Sequence, residues 1–288
     1  MGKGELFSLA SALAWAFGVI LYAQLGRRID PLALNLRKNV VVLAMLLPLL
    51  ALRGVPPQLP ALDVAIAAVS GAVGIALADT LYFRALNELG AGRMGVIGNL
   101  FSPFVIALSY LFLGERLTAL QLAGFVLVST GVVVVHPPQA TPGMRRFGRG
   151  FAYGALAVLL MAAAIVLVKR VLERNDLFWV SAVRLGGGVV VMALLAGWQR
   201  LRDGRGAAAL GTRGWLLLVA AAFVGQMLSM LLWLAGYKYT SASVAAILNE
   251  TASAFIVLLA WLLLREPLTR RRVLGVALTL GGVALMLQ

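Results

Sequence analysis

The sequence has no cysteine, one histidine and only eleven acidic residues among 288. Without cysteine there is no disulfide and no thiolate for metal binding or nucleophilic attack. A lone histidine, His136, cannot supply the paired histidines of a zinc hydrolase helix, and no G-x-S-x-G turn occurs. His136 lies beside Pro137 and Pro138 in a loop and reads as a bystander, so neither a metal nor a cofactor is expected. Charged residues make up 12 % of the chain and apolar ones 61 %, far from the balance of a soluble domain.

What the chain does have is long apolar runs. Ten can be drawn, over 5–25, 33–53, 62–83, 94–113, 119–136, 151–168, 178–199, 214–235, 242–264 and 271–288. Most reach the ~20 residues that a helix rising ~1.5 Å per residue needs to cross ~30 Å of hydrocarbon. The net charge of +14 comes mainly from loops and helix ends, where lipid head groups are the natural partner and nucleic acid is not. Lys3 and the apolar run behind it have the look of a signal peptide. Yet GELFSLASALAWAFG aligns with GRGFAYGALAVLLMA at 148–162, so the run is expected to stay as the first helix.

The chain also repeats itself. Ser102, Phe104, Leu108, Leu111 and Leu113 recur 151 residues later as Ser253, Phe255, Leu259, Leu262 and Leu264. Glu115, Leu117, Thr118, Gly124 and Gly131 recur at the same spacing as Glu266, Leu268, Thr269, Gly275 and Gly282. A fixed period of this length marks a duplication. The expected units are 1–136 and 151–288, joined by a proline- and glycine-rich linker at 137–150. Five helices per copy is an odd number, so the second copy must start from the opposite side of the membrane. The fold expected is an all-α membrane protein of ten transmembrane helices in two inverted five-helix repeats.

Polar residues inside these helices are the candidate site. Trp15 lies mid-helix, away from the interfacial belt, as a packing ring or a stacking surface. Arg37, with Arg184 near the equivalent place, is close enough to a helix end to snorkel to the head groups. Asp79 and Tyr82 share a face in the third helix, and Asp79 could pair with Arg84 or Arg93; its counterpart is Met230. Gly95, Asn99 and Ser102 line one face of the fourth helix, where Pro103 denies the Asn99 carbonyl its helical donor. Interrupted helices in both halves point to a transport site, but Ala254 stands at the second proline position, so one break is expected. Helices six and seven show few deep polar groups. Gln226, Ser229 and Trp233 share a face in the eighth helix, and Asn249 and Glu250 lie in the ninth. Glu250 sits nine residues into its run, on the order of 12 Å of rise from its end. A carboxylate at that depth marks an ion, proton or substrate path, or is a protonated packing group.

The motifs LGERLTALQLAGFVLVSTGVVVV, LREPLTRRRVLGVALTLGGVALM and DTLYFRALNELGAGR resemble the EamA-like branch of the drug/metabolite transporter superfamily over essentially the whole chain. The resemblance implies a secondary transporter of a small metabolite (amino acid, organic cation or similar), working by alternating access around a central cavity. On that basis the substrate-binding residues expected are Trp15, Asp79, Tyr82, Asn99, Gln226, Trp233, Asn249 and Glu250. The implied partners are a small-molecule substrate, membrane lipid and protons as a coupling ion, in a monomer or homodimer of the cell membrane. A membrane enzyme, a channel and a structural subunit are the alternatives.

Orientation is contested. Seventeen of the twenty-five basic residues lie on the side of the odd-numbered loops, which by the positive-inside rule places both termini outside. Relatives more often have them inside. With no native cysteine, Gly2→Cys and Gly206→Cys can be labelled with an impermeant maleimide on whole cells. The charge count predicts labelling at position 2 only, and labelling at 206 alone reverses it.

Overall fold

A computed structural model describes residues 2–25, 31–52, 54, 59–89, 97–135, 144–203, 211–264 and 269–288. Among them the regular structure is all helical. The helices are α1 (Lys3–Leu25), α2 (Pro31–Leu52), α3 (Ala61–Gly71), α4 (Ala78–Leu89), α5 (Phe101–Leu113), α6 (Ala119–Val135) and α7 (Met144–Arg174). After them come α8 (Leu177–Asp203), α9 (Thr212–Ala222), α10 (Ser229–Tyr239), α11 (Ala242–Asn249), α12 (Ala252–Leu264) and α13 (Arg270–Met286). A π-helical turn, Ala72–Leu77, joins α3 to α4, and another, Phe223–Leu228, joins α9 to α10. These turns are 151 residues apart, the period of the sequence repeat.

Among the described residues six runs are long and apolar enough to cross a membrane: Leu32–Leu52, Ala61–Tyr82, Gly148–Arg174, Leu177–Arg202, Thr212–Tyr239 and Ala242–Leu263. Phe101–Leu113 and Ala119–Val134 are shorter apolar helices. Large apolar side chains cover the outside, as lipid requires. Leu111 is 70 % exposed and its repeat partner Leu262 66 %. Helix α7 begins at Met144, inside the stretch expected to be linker; His136 and the rest of that linker, with Arg93 and Glu266, fall outside the described residues.

The helices meet across the halves of the chain more than within them. Helix α4 lies against α7 while α1 lies against α10; α3 meets α8 while α2 meets α9; α5 meets α7 while α1 meets α12. Each pair becomes the other when first-half helices are exchanged for their second-half counterparts. The largest core cluster accordingly mixes Ile75 and Val105 with Ile165, Leu185, Leu234 and Tyr237.

The repeated motif explains the joints. Gly114, at φ 73°, adopts the left-handed conformation that ends α5. Glu115 then reaches α11, accepting hydrogen bonds from Ala242 N (2.8 Å), Ser243 N (3.0 Å) and Ser243 Oγ (3.0 Å). Those are orphan donors of a helix start, best met by a carboxylate. Thr118 and Gln121 cap α6 reciprocally at 3.0 and 3.2 Å, and Thr269 caps α13 by accepting from Arg272 N. The paired glycines face one another where α6 crosses α13. A Cβ at Gly124 would stand 2.7 Å from the Gly282 carbonyl, and one at Gly131 2.7 Å from that of Gly275. Side chains there would force apart the two helices that close the copies together.

Candidate functional site

The site is built on two interrupted helices. In the first half, Leu100 N donates to Ile97 O (3.0 Å) in a tight turn at Asn99–Leu100, and the α5 ladder resumes at Phe104 N to Leu100 O. In the second half the tight turn falls at Glu250–Thr251, again 151 residues on. There Glu250 N donates to Ile247 O (3.1 Å), Thr251 N to Leu248 O (3.2 Å) and Ser253 N to Glu250 O (3.1 Å). The expectation of a break in one half only is therefore corrected. No proline is needed in the second half because polar side chains compete for the carbonyls. Thr251 Oγ1 donates to Leu248 O (2.7 Å) and Asn249 Nδ2 to Ala245 O (2.8 Å).

Glu250 sits at this break, and both of its carboxylate oxygens are shielded from solvent without a hydrogen-bond partner among the described residues. The backbone N–H and hydroxyl of Ser102, in the first turn of α5, and the Ser129 hydroxyl on α6 are its nearest polar neighbours. They stop short of closed hydrogen bonds. A helix start presents free N–H groups and the positive end of its dipole, which makes a carboxylate tolerable so far from water. Asn99 Nδ2 and the Tyr237 hydroxyl are likewise buried without a partner among the described residues.

A second cluster lies where α8 crosses α3. Arg184 is only 5 % exposed; its Nε donates to Ser70 Oγ (3.0 Å), which donates to Ala164 O (2.6 Å). Its guanidinium stands 5.3 Å from the Trp233 ring centroid, and Trp233 meets Tyr237 edge-on at 4.9 Å. The snorkelling alternative is thereby overturned for Arg184. Gly71 lets α3 sit directly on the backbone of Arg184, so the side chain points between helices rather than toward a membrane surface. Asp79 faces Lys38, Asn35 and Arg184 rather than Arg84, because α4 turns it toward α2 and Arg84 is exposed; the other expected partner, Arg93, lies outside the described residues. Asn39 Nδ2 donates to the Asn35 backbone and side-chain oxygens, both at 2.9 Å, which fixes the amide beside Asp79.

The other expected residues are more scattered. Leu6, Leu13 and Phe17 form one exposed stripe of α1. Trp15, nine residues after Leu6 and so two and a half turns on, occupies the opposite face yet is 40 % exposed. Ser11 on that same face donates to Ser229 O of α10 (3.0 Å), so Trp15 borders space on the protein side of its helix. Tyr82 is partly buried against Ala85, Leu89, Ile97 and Val158, within electrostatic reach of Asp79. Gln226 lies in the second π turn, beside the point where Gly225 touches Gly18 of α1. Asn249 holds its own helix by the bond given above. The sequence did not single out Lys38, Asn35, Ser70, Ser129 or Tyr237, and it read Arg184 as near enough a helix end to snorkel. The spacing of Asn35 and Asn39, one helical turn apart in an apolar run, was the available signal for part of this set.

With this geometry in hand, comparison with known proteins is informative. The EamA-like transporter family matches residues 2–136 and 148–288. The chain belongs to this family. Like other EamA-like transporters it is a multi-pass integral protein of the cell membrane, within the drug/metabolite transporter superfamily. It is 23 % identical over 283 residues to an uncharacterized transporter of Archaeoglobus fulgidus, covering 98 % of this chain and 97 % of that one. It is 25 % identical over 221 residues to Protein PecM of Dickeya dadantii, covering 76 % and 72 %. A solved crystal structure superposes with a TM-score of 0.84 at 19 % identity, over 99 % of this chain and 98 % of that one, and so shares the fold.

The two breaks give opposite expectations on mutation. Thr251→Val removes the hydroxyl that serves the Leu248 carbonyl and lowers stability by about 1–3 kcal/mol. Pro103→Ala returns an N–H toward the Asn99 carbonyl, leaving stability equal or higher while slowing transport. Melting temperatures in detergent, with uptake rates for the proline variant, check both. A normally transporting Pro103→Ala protein would make the first break incidental.

Proposed function

We propose that this EamA-like transporter is a secondary carrier that moves a small metabolite by alternating access, with two inverted five-helix repeats forming ten transmembrane helices. The observation that carries the reading is the pair of helix interruptions at Asn99–Leu100 and Glu250–Thr251. In lipid an unpaired backbone group is tolerated only where protein, water or a solute can serve it, and paired breaks in two halves are how carriers form a midplane site. The π turns at the same offset and the exchange of helix contacts between halves support the repeat. Its inversion follows from the odd helix number. Rocking one half against the other would expose the breaks to each side in turn.

Family and relatives point to transport rather than catalysis. Within the carrier, Glu250 is the group that senses charge, as a proton carrier or as the acceptor for a substrate cation. Trp15, Asp79, Tyr82, Asn99, Gln226 and Trp233 complete the path, with Asn249 shaping the helix break.

Counterflow into proteoliposomes over a metabolite panel tests the reading. A carrier gives saturable uptake stimulated by unlabelled solute inside, whereas a channel gives unsaturated flux without that stimulation. Glu250→Gln keeps size and hydrogen bonding but cannot titrate. If Glu250 carries the proton, gradient-driven accumulation is lost and exchange survives; if it holds a cation, affinity falls about tenfold or more. Full affinity together with full accumulation would remove Glu250 from the mechanism.

A further inference from the structure

Three acidic side chains of the first half reach across to the second on one face of the bundle. Glu5 of α1 accepts from the Thr240 hydroxyl at the end of α10 (2.7 Å). Glu115, after α5, holds the start of α11 through Ala242 N and Ser243 N. Asp63, in the first turn of α3, meets the turn between α7 and α8. Arg174 grips it with Nε on Oδ2 (3.0 Å) and Nη2 on Oδ1, and Asn175 Nδ2 donates to Oδ2 at 2.7 Å. Asp63 is only 3 % exposed, so the contact encloses it.

The sequence repeat shows which of these ties is one-sided. Glu5 aligns with Arg149, which pairs with Glu88 of α4 at the opposite face (3.3 Å). Glu115 recurs as Glu266. Asp63 recurs 151 residues on as Gly214, which has no side chain, although α9 meets α1 as α3 meets α7. The equivalent place on the opposite face therefore lacks its carboxylate.

We propose that Asp63, Arg174 and Asn175 form a latch that shuts this face of the carrier and parts before the face opens. The proposal rests on the carrier reading above. The latch is built to release. The Arg174 side chain is 57 % exposed, so parting leaves its guanidinium to water. Asp63 stays in the first turn of α3, where the helix dipole favours a carboxylate on its own. The turn that receives it is held independently. Lys238 Nζ donates to Leu172 O and Asn175 O, which caps α7, and Asn175 Nδ2 also donates to Val171 O (2.9 Å). Neither part needs rebuilding when the two separate. Because Gly214 offers no matching carboxylate, the equilibrium between the two closures rests with the Asp63 face shut.

The test needs no solute. The chain has no cysteine, so a single one is introduced as Ala67→Cys, one turn deeper than Asp63 on the same face of α3. Ala67 is 1 % exposed, and its labelling reports how often this face opens. The full-length protein is held in lipid nanodiscs, which leave both faces open to a soluble maleimide. Asp63→Asn keeps the shape and removes the charge. It should speed labelling about tenfold, the factor expected from losing a charge-assisted hydrogen bond. Arg174→Gln should do the same, and the two together should add little, since either alone undoes the latch. A second reporter, Ala85→Cys, buried near the opposite end in α4, should not speed up. Labelling of Ala67→Cys that stays within about threefold when Asp63→Asn is added overturns the latch, being too small a change for a lost ionic contact. So does an equal rise at Ala85→Cys, which marks general loosening and shows as a lowered melting temperature. A metabolite panel without counterflow removes the carrier reading instead, while the labelling still reports whether Asp63 holds the face shut.

Discussion

In hydrocarbon, every backbone N–H and C=O must find its partner inside the protein, and the architecture follows from that demand. Regular helices satisfy it locally, which is why apolar side chains such as Leu111 and Leu262 can face outward freely. An interruption violates it and must be served from within. Both described interruptions lie where α5, α6, α11 and α12 converge; Thr251 and Asn249 bond the local carbonyls, while Glu250 faces the start of α5 without a closed hydrogen bond. The same places hold the unpartnered polar atoms of Glu250, Asn99 and Ser102. Broken backbone, displaced charge and candidate solute site are therefore one feature viewed at three levels.

The rest of the molecule holds those breaks in register. Glu115 ties the joint after α5 to the start of α11, so the end of one broken helix fixes the beginning of the other. Glycines of α6 and α13 bring the last helix of each half into backbone contact. Small residues do the same for α3 against α8, which carries Arg184 into the interior. Close approach through glycine substitutes for the hydrophobic force that lipid does not provide between helices.

Much of this was legible in the sequence. The 151-residue period reappears in the offset of the π turns and of the two helix breaks, and the apolar runs located helices of the described residues. The depth of Glu250 in its run singled it out, and the structure buries its carboxylate at a helix break. Two features were hidden for physical reasons. The second helix break lacks proline, and Thr251 and Asn249 create it by hydrogen bonding that no spacing rule announces. Arg184 lies near a chain boundary of its helix, where arginine ordinarily snorkels, and only the meeting of α8 with Gly71 turns it inward. Tyr237 was obscured similarly, since a Tyr-Lys-Tyr run at a helix end reads as an interfacial belt. Burial depends on which neighbour a helix chooses, and that is a property of the assembled bundle.

The buried Glu250 carboxylate and Asn99 amide nitrogen, unpartnered among the described residues at the two breaks, are what the carrier reading depends on. The most direct examination is an experimental structure of the protein with a solute that it exchanges. The account predicts density at the two helix interruptions, beside Glu250 and Asn99, with both interruptions retained. Density instead in the apolar groove of about 350 Å³ that Leu108, Phe112, Val166 and Arg170 line between α5 and α7, with the core empty, would contradict it.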